Sequence, residues 1–366
     1  MTKSNLIVKA PGKLMIAGEY AVTIQDQRAV VIAVDRYITV QIESAHKNII
    51  SIGDMNLKDI TWELKDDNIA FNIEDSRLEF IKNAISTSIK FLKENLIRIK
   101  PFKLQVESEL NDPITNKKYG LGSSAAIIVS VISAILSFHN NAKLPSPDKI
   151  FKLSVIAHIK TQKNGSGADI AAATYGGWIE YSTFDRVWLL NELNSSKKVT
   201  NIISKTWPNL VIKSLIPPKN LKLAIGWTKN SAKTGPMVNK FERFCNKNPK
   251  AYDEFLRESS ASVKELIQSF NGNNYEKTIN SIRKNRKVIQ KLSHEAKMNI
   301  ETDKLRVLCD IAEKFGSAKS SGAGGGDCGI AFIKSEKRRK ELYELWEGAG
   351  ITPLDLNVSQ KGVNIH

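Results

Sequence analysis

Long apolar runs are missing from this chain of 366 residues. No stretch approaches the roughly 18 consecutive apolar residues of a membrane-spanning helix. The first residues, Met-Thr-Lys-Ser-Asn, lead into a short strand-like segment and do not resemble a secretory signal. We therefore expect a cytoplasmic protein without a membrane partner.

Cysteine is scarce, with only Cys245, Cys309 and Cys328 in the whole chain. An odd number at wide, irregular spacing fits neither a disulfide framework nor a zinc site, so we expect three reduced thiols. The hydrophobic content of 42% and the charged content of 25% are ordinary for a globular protein. The length allows two domains, each with its own core.

Acidic residues are few compared with basic ones, and the net charge is +16. Such a charge suits nucleic acid, small polyanionic substrates or a solvated surface. The densest basic clusters, 283–287 and 334–340, lie on amphipathic helical patterns, where charge runs are usually solvated. No strand interleaves aromatic with basic residues, as RNA binding would require. We therefore expect no nucleic-acid partner and keep an RNA-binding protein as the alternative from a different class.

A glycine-rich turn, Lys118-Tyr119-Gly120-Leu121-Gly122-Ser123-Ser124-Ala125-Ala126, opens an apolar run that favours a buried helix over residues 127–136. Helix N-termini carry unpaired N–H groups that attract phosphate, and glycine lets a ligand approach the backbone. The serines at 123 and 124 can cap the helix or reach a phosphate oxygen or Mg²⁺. The motif is neither a Walker A loop nor a dinucleotide fingerprint. A capped core helix explains the turn about equally well.

Glycine is concentrated a second time in Ser320-Ser321-Gly322-Ala323-Gly324-Gly325-Gly326-Asp327-Cys328-Gly329. This density is costly inside a helix or a strand, because each glycine loses much conformational freedom on folding. A close approach of the backbone to another group is the expected reason.

Two charged residues stand next to small residues elsewhere in the chain. Lys13 follows Pro11-Gly12, which predicts a turn between a strand over 5–9 and the next apolar segment. Asp169 falls in the first turn of a predicted helix, where a carboxylate caps the helix, binds metal or orients a lysine such as Lys13.

The order of strand and helix patterns predicts an α+β protein. Residues 185–218 read as a mixed segment, and we place a domain boundary near 213, giving domains 1–213 and 214–366. Strict alternation from Leu221 to Trp227 predicts the first strand of the second domain, and residues 228–236 a polar loop. The last strand is expected over 353–358.

Three elements in this order, Pro11-Gly12-Lys13-Leu14, Gly120 to Ala126 and Ser321 to Asp327, resemble the three motifs of the GHMP kinase superfamily. The resemblance spans the chain. Further stretches resemble the bacterial members that phosphorylate (R)-5-phosphomevalonate; they are Ala10 to Val22, Lys118-Tyr119, Gly177-Trp178, Tyr181 to Asp185, Gly226 to Thr228 and Ser320 to Gly329.

The resemblance implies an N-terminal domain like ribosomal protein S5 domain 2, a C-terminal ferredoxin-like domain and a site between them. It implies ATP-dependent phosphorylation of (R)-5-phosphomevalonate to (R)-5-diphosphomevalonate in the mevalonate pathway of isoprenoid biosynthesis. ATP, 5-phosphomevalonate and Mg²⁺ would be bound by a monomer or homodimer. A mevalonate kinase or another small-molecule kinase of this superfamily is the nearest alternative; the Gly120-Leu121-Gly122 form of the loop argues against a decarboxylase.

The same resemblance assigns roles to individual residues. Lys13 and Asp169 would be catalytic, and Ser124 and Asp169 would bind the metal. The acceptor would contact Lys13, Lys118, Ser166 and Ala323. The ATP phosphates would lie on Gly120, Leu121, Gly122, Ser123, Ser124 and Ala125.

One position departs from the related mevalonate kinases, which carry a glutamate metal ligand eleven residues before this aspartate. His158 stands there in this chain. We expect His158 to be structural and not a ligand, so that Asp169 takes part in metal binding.

Overall fold

The computed structural model describes residues 5–65, 68–162, 165–195, 198–230 and 234–366. Within these residues the chain forms β-strands and α-helices in mixed order, as predicted. The strands, β1 to β13 in chain order, are Leu6–Ala17, Arg28–Ser44, Ile49–Ile52, Leu57–Lys65, Asn68–Phe71, Phe102–Ser108, Trp178–Ser182, Val211–Leu215, Lys222–Trp227, Gly316–Ser320, Cys328–Ile333, Thr352–Leu354 and Asn364–Ile365.

The helices are numbered α1 to α11 along the same described residues. They are Glu79–Glu94, Ser123–Phe138, Pro147–Thr161, Ala168–Tyr175, Arg186–Ser195, Val199–Ser204, Thr234–Lys247, Pro249–Asn271, Tyr275–Glu295, Asp303–Glu313 and Glu336–Gly348. Both glycine-rich elements lie at the ends of these regular segments, as the sequence predicts.

A nine-stranded sheet organises the first half of the chain. Its main path runs β13-β1-β2-β6-β3-β4-β5, and β7 pairs with both β2 and β8. Strand β2 is long enough to pair with β1 along its length, with β7 at its start and with β6 at its end. Helices α2 and α4 pack on β1 and β2, and α1 and α3 pack on α2.

The buried helix predicted over residues 127–136 is confirmed as α2, and every residue from Ala125 to Ser137 is buried. A helix that is apolar all round must lie inside the protein. Because α2 packs on the sheet, the position and direction of its N-terminus, at Ser123, are fixed.

A four-stranded antiparallel sheet organises the second half, in the order β10-β11-β9-β12. Helices lie between β9 and β10 and between β11 and β12, which gives the split βαβ arrangement of ferredoxin-like domains. Helices α10 and α11 cover one face through Leu308, Leu342 and Trp346. The α+β prediction is therefore confirmed in both halves.

The two sheets share a buried core. Trp178 on β7 contacts Phe270 of α8 and Phe332 of β11, with ring centroids 5.3 and 6.2 Å apart. The last strand, β13, returns to pair with β1. Strand β8 crosses residue 213 and joins the nine-stranded sheet through β7, and the division of the chain at 213/214 stays a prediction.

The prediction of a turn at Pro11-Gly12 is wrong. Leu6–Ala17 is one strand, and the register against β2 shifts between Pro11 and Gly12 instead. Pro11 pairs with Tyr37 and Gly12 with Val34, so the irregularity lies in β2, where residues 35 and 36 are extra, and β1 continues without a break. Lys13 therefore stands inside a strand.

Two other segments are more regular than the sequence indicated, and one predicted strand is shorter. The mixed segment 185–218 holds α5, α6 and β8, and α7 begins at Thr234 inside the predicted polar loop. Residues 231–233 of that loop lie outside the described residues. The last predicted strand is shorter, Thr352–Leu354, because the chain then turns back toward β1.

Among the described residues, no helix is long and apolar enough to cross a membrane. All three cysteines are free thiols, as predicted. Burial raises the pKa of Cys245 to about 11, so this thiol is protonated near neutral pH.

Candidate active site

A cavity of about 980 Å³ gathers most of the residues that the sequence singled out. The predicted site residues that line it are Lys13, Lys118, Gly120, Gly122, Ser123, Ser124, Ser166, Asp169 and Ala323. Leu121 and Ala125 do not line the cavity and are buried behind the turn. Residues more than 300 positions apart therefore share one wall.

The glycine turn meets the cavity at the N-terminus of α2. Gly122 is the N-cap with a φ of 76°, and no side chain caps the helix. The predicted capping by Ser123 or Ser124 is therefore wrong, because α2 begins at Ser123 itself. Both serines line the cavity instead, beside the unpaired N–H groups of the first turn.

Only glycine fits at position 122. A Cβ there would lie 2.9 Å from Cγ of Lys13 and 3.3 Å from Oδ2 of Asp169. The left-handed φ adds strain for any other residue. The turn therefore lies directly against the two charged side chains predicted to be catalytic.

Lys13 is tied to this turn by its backbone. Its N–H donates to the Leu121 carbonyl at 2.8 Å, and a Cβ on Gly12 would lie 3.0 Å from the same oxygen. Its Nζ lies 3.7 Å from Oδ1 of Asp169, which is an ion pair but too long for a hydrogen bond. The Lys13 side chain is 11% exposed and that of Asp169 40% exposed, so the carboxylate is open to the cavity.

Asp169 does not cap its helix. The N-cap of α4 is Gly167, with a φ of 82° and no side-chain cap. The capping explanation for Asp169 is therefore wrong, and the carboxylate is available for Lys13 or a ligand.

The loop before α4 is held by two buried hydroxyls. Tyr181 and Thr183 both donate to the Ser166 carbonyl, Thr183 at 2.9 Å. Burial raises the pKa of Tyr181, so its hydroxyl stays protonated and can donate. A Cβ on Gly167 would lie 2.7 Å from the Tyr181 hydroxyl. These contacts fix Ser166 on the cavity wall.

The second glycine-rich element packs on the first. A Cβ on Gly120 would lie 2.5 Å from Oδ2 of Asp327, and Sγ of Cys328 donates to the Tyr119 carbonyl at 3.1 Å. A Cβ on Gly322 would lie 3.8 Å from Nζ of Lys13. The predicted close approach of this element is therefore an approach to Lys13 and to the first turn.

Three pairs of residues, which we call the clasp, join segment 15–20 to segment 319–323. Ser321 donates to the Met15 carbonyl at 2.9 Å and accepts from the Met15 N–H at 3.0 Å. The Tyr20 hydroxyl donates to the Ala323 carbonyl, and Lys319 forms an ion pair with Glu19.

The ion pair of the clasp is almost fully enclosed. Glu19 is 3% exposed and Lys319 is 1% exposed. Lys319 also donates to the Ser320 carbonyl at 2.9 Å, whereas Oε2 of Glu19 has no hydrogen-bond partner among the described residues. Buried charges of this kind depend on each other, since neither has access to water.

Sequence reasoning missed the clasp. Glu19 and Tyr20 follow an apolar strand, and Lys319 precedes the glycines, but nothing local indicates that they meet. The left-handed φ of Tyr20, 63°, is also invisible in the sequence.

His158 lines the cavity next to the loop before α4. A Cβ on Gly165 would lie 3.1 Å from its Cε1, and the Phe80 ring is 5.5 Å away. Burial lowers the pKa of His158, and the opposing effect of Asp169 is smaller. The imidazole is therefore neutral near pH 7.

Three of the four basic residues in the cluster 283–287 are paired with acidic residues. Arg283 lies 2.7 Å from Glu313, and Lys284 lies 2.7 Å from Glu265. Arg286 forms a further pair with Glu301 at 2.7 Å. These pairs are consistent with a surface helix, as the sequence indicated.

Comparison with protein families matches two parts of the chain. Residues 80–177 match the model of the GHMP kinases N terminal domain, and residues 257–351 match that of the GHMP kinases C terminal domain. A phosphomevalonate kinase from Streptomyces sp. (strain CL190) is 32% identical over 372 residues, which covers 98% of this chain and 98% of that protein.

Two solved structures resemble the whole chain. A Lin0012 protein from Listeria innocua has a TM-score of 0.93 and 37% identity, covering 99% of both chains. Streptococcus pneumoniae phosphomevalonate kinase in complex with phosphomevalonate and AMPPNP has a TM-score of 0.82 and 28% identity, covering 96% of this chain and 99% of that one.

Breaking the clasp should destabilise the protein. Lys319→Met leaves the Glu19 carboxylate buried without a counter-charge, which should lower the free energy of unfolding by about 3–5 kcal/mol. The double variant Glu19→Gln/Lys319→Met should recover most of that loss. Urea unfolding measures both; a loss below about 1 kcal/mol in Lys319→Met would contradict a structural role for the pair.

His158 should make stability depend on pH. The unfolded chain takes up the proton near pH 6.5, whereas the folded protein takes it up only at lower pH, so stability is lost as pH falls below about 6.5. His158→Gln should flatten the fall in melting temperature between pH 7 and pH 5. His46→Gln, at an exposed histidine, is the control; equal slopes in both variants and the wild type would refute the assignment.

Proposed function

The chain belongs to the GHMP kinase family, and from that premise we propose that it transfers the terminal phosphoryl group of ATP to (R)-5-phosphomevalonate, giving (R)-5-diphosphomevalonate. The observation that carries this proposal is the placement of Lys13 and Asp169 against Gly122 at the N-terminus of α2, in a cavity that Lys118 and Ser166 also line. The full-length similarity to phosphomevalonate kinases supports it.

The ATP phosphates bind at the turn from Gly120 to Ala125. The first N–H groups of α2 lack partners inside the helix and carry partial positive charge. No side chain caps them, and Gly120 and Gly122, which take left-handed φ values, add no side chain of their own to the turn. Ser123 and Ser124 add hydroxyl donors to the same wall.

The side-chain oxygens that line the cavity suit Mg²⁺ brought in with ATP. Within the described residues, no three His, Cys, Asp or Glu side chains cluster as a metal cage. Mg²⁺ in kinases usually takes one or two protein oxygens and completes its shell with phosphate and water. The Ser124 hydroxyl and the Asp169 carboxylate are such oxygens on the same wall. When bound, the ion neutralises phosphate charge and orients the oxygens.

The acceptor phosphate binds to Lys13, Lys118, Ser166 and the turn at Ala323. A phosphate monoester is largely dianionic at neutral pH, because its second pKa is near 6. It therefore attacks without help from a strong base, and the main barrier is the repulsion between two anions. Lys13, held between the two glycine turns, offsets this repulsion in the way that phosphoryl transfer requires.

Asp169 orients Lys13 in this mechanism. Its carboxylate lies 3.7 Å from Nζ and is open to the cavity, so the same side chain would also be free to hold Mg²⁺. Neutral His158 beside Gly165 forms part of the wall and is not assigned to the metal.

We further propose that the protein acts in the cytoplasm, as a monomer or homodimer, without a membrane or nucleic-acid partner. The paired cluster at 283–287 supports the last point.

The proposal is tested by a coupled ADP-release assay with Mg·ATP and three acceptors: mevalonate, 5-phosphomevalonate and 5-diphosphomevalonate. We expect turnover with 5-phosphomevalonate alone, because this acceptor places its terminal phosphate at Lys13 and Lys118 while its carbon chain lies in the cavity. Mevalonate has no phosphate to place there, and the extra phosphate of 5-diphosphomevalonate would displace its carbon chain. ATP without acceptor controls for hydrolysis. Turnover with mevalonate would move the chain to the alcohol kinases, and no turnover with any acceptor would refute a kinase of this pathway.

A further inference from the structure

Within the described part of the chain, the lysine and arginine side chains that line the cavity are Lys13, Lys118 and Arg186. The proposed function uses both lysines at the reacting phosphates. Arg186 has no role there. It is partly exposed on the cavity wall, and among the described residues it has no hydrogen-bond or ion-pair partner.

Arg186 stands on a rigid part of the wall. It is the first residue of α5 and follows Thr183 and Phe184, which also line the cavity. Phe184 is buried, with its ring 5.1 Å from that of Trp207 and its Cε1 3.3 Å from the Cβ position of Gly167.

The backbone next to Arg186 is fixed as well. The Asp185 N–H donates to the Pro208 carbonyl at 2.8 Å, and the Asp185 carboxylate accepts from the Trp188 N–H at 2.9 Å. Thr183 ties the same segment to the Ser166 carbonyl. Arg186 is therefore held beside the loop that carries the proposed acceptor site.

The proposed acceptor has a second anionic group. Its carboxylate lies at the opposite end of the carbon chain from the reacting phosphate, so it points away from Lys13 into the cavity. Burying that carboxylate without a partner would be costly. The acidic side chains on the wall would repel it; they are Glu19, Asp169, Glu242 and Asp327. Lys319 does not line the cavity and is already paired with Glu19. An arginine, with its planar fork of donors, is the side chain best suited to a carboxylate.

We propose that Arg186 binds the carboxylate of the acceptor and so selects phosphorylated acids over phosphorylated alcohols of similar length. This inference rests on the proposed function. It adds a residue that binds the carboxylate end of the acceptor, opposite the reacting phosphate. Arg186 is a specificity residue, and it takes no part in the transfer itself.

The test pairs a change in the protein with a change in the substrate. Arg186→Met should raise KM for 5-phosphomevalonate about 100-fold, the loss expected for charged hydrogen bonds, and should change kcat much less. The carboxamide of 5-phosphomevalonate should lose about 100-fold in kcat/KM with the wild type, but little further in Arg186→Met. Arg186→Lys should recover part of the loss, since a lysine keeps the charge without the fork.

Arg243→Met is the matched control, because Arg243 lies on α7 and does not line the cavity. Its KM should equal that of the wild type. A wild-type KM in Arg186→Met, or an equal penalty for the carboxamide in both proteins, would overturn the inference alone. Failure of the wild type to use 5-phosphomevalonate would overturn the proposed function and this inference together.

Discussion

The hydrogen bond from the Lys13 N–H to the Leu121 carbonyl sets the geometry on which the rest of the site depends. It joins strand β1 of the large sheet to the turn that opens the buried helix α2. Gly12 and Gly122 are required because any Cβ would separate the two segments. The lysine and the helix N-terminus therefore approach the same point, each fixed by a packed element.

The wall around this point is assembled from both halves of the chain. The clasp between segments 15–20 and 319–323 brings the second glycine turn over Lys13, at the expense of burying Glu19 with Lys319. Two anions can meet only where cations and oriented N–H groups offset their repulsion. Burial of the clasp keeps that arrangement rigid while the cavity stays open to substrates.

Elements formed by neighbouring residues were predicted from the sequence, whereas contacts between residues far apart in the chain were missed. Periodicity and turn chemistry predict the buried helix after Gly122, the α+β order and the helix that begins near Asp169. They do not predict the continuation of β1 through Pro11 and Gly12, since pairing with β2 decides whether the strand continues. The pairing of Glu19 with Lys319 depends on the whole fold, because the two residues are distant in the sequence. A role for Arg186 can be proposed only once the structure shows that it lines the cavity. The roles of the site residues remain predictions.

The most direct test of the account is the kcat of Lys13→Met, Asp169→Asn and the double variant with Mg·ATP and 5-phosphomevalonate. If Asp169 acts by orienting Lys13, the two residues work as a unit and their losses do not multiply. We expect losses of about 1000-fold for Lys13→Met and about 100-fold for Asp169→Asn, with the double variant no worse than Lys13→Met. Losses that multiply, or near-normal turnover in Asp169→Asn, would contradict the account.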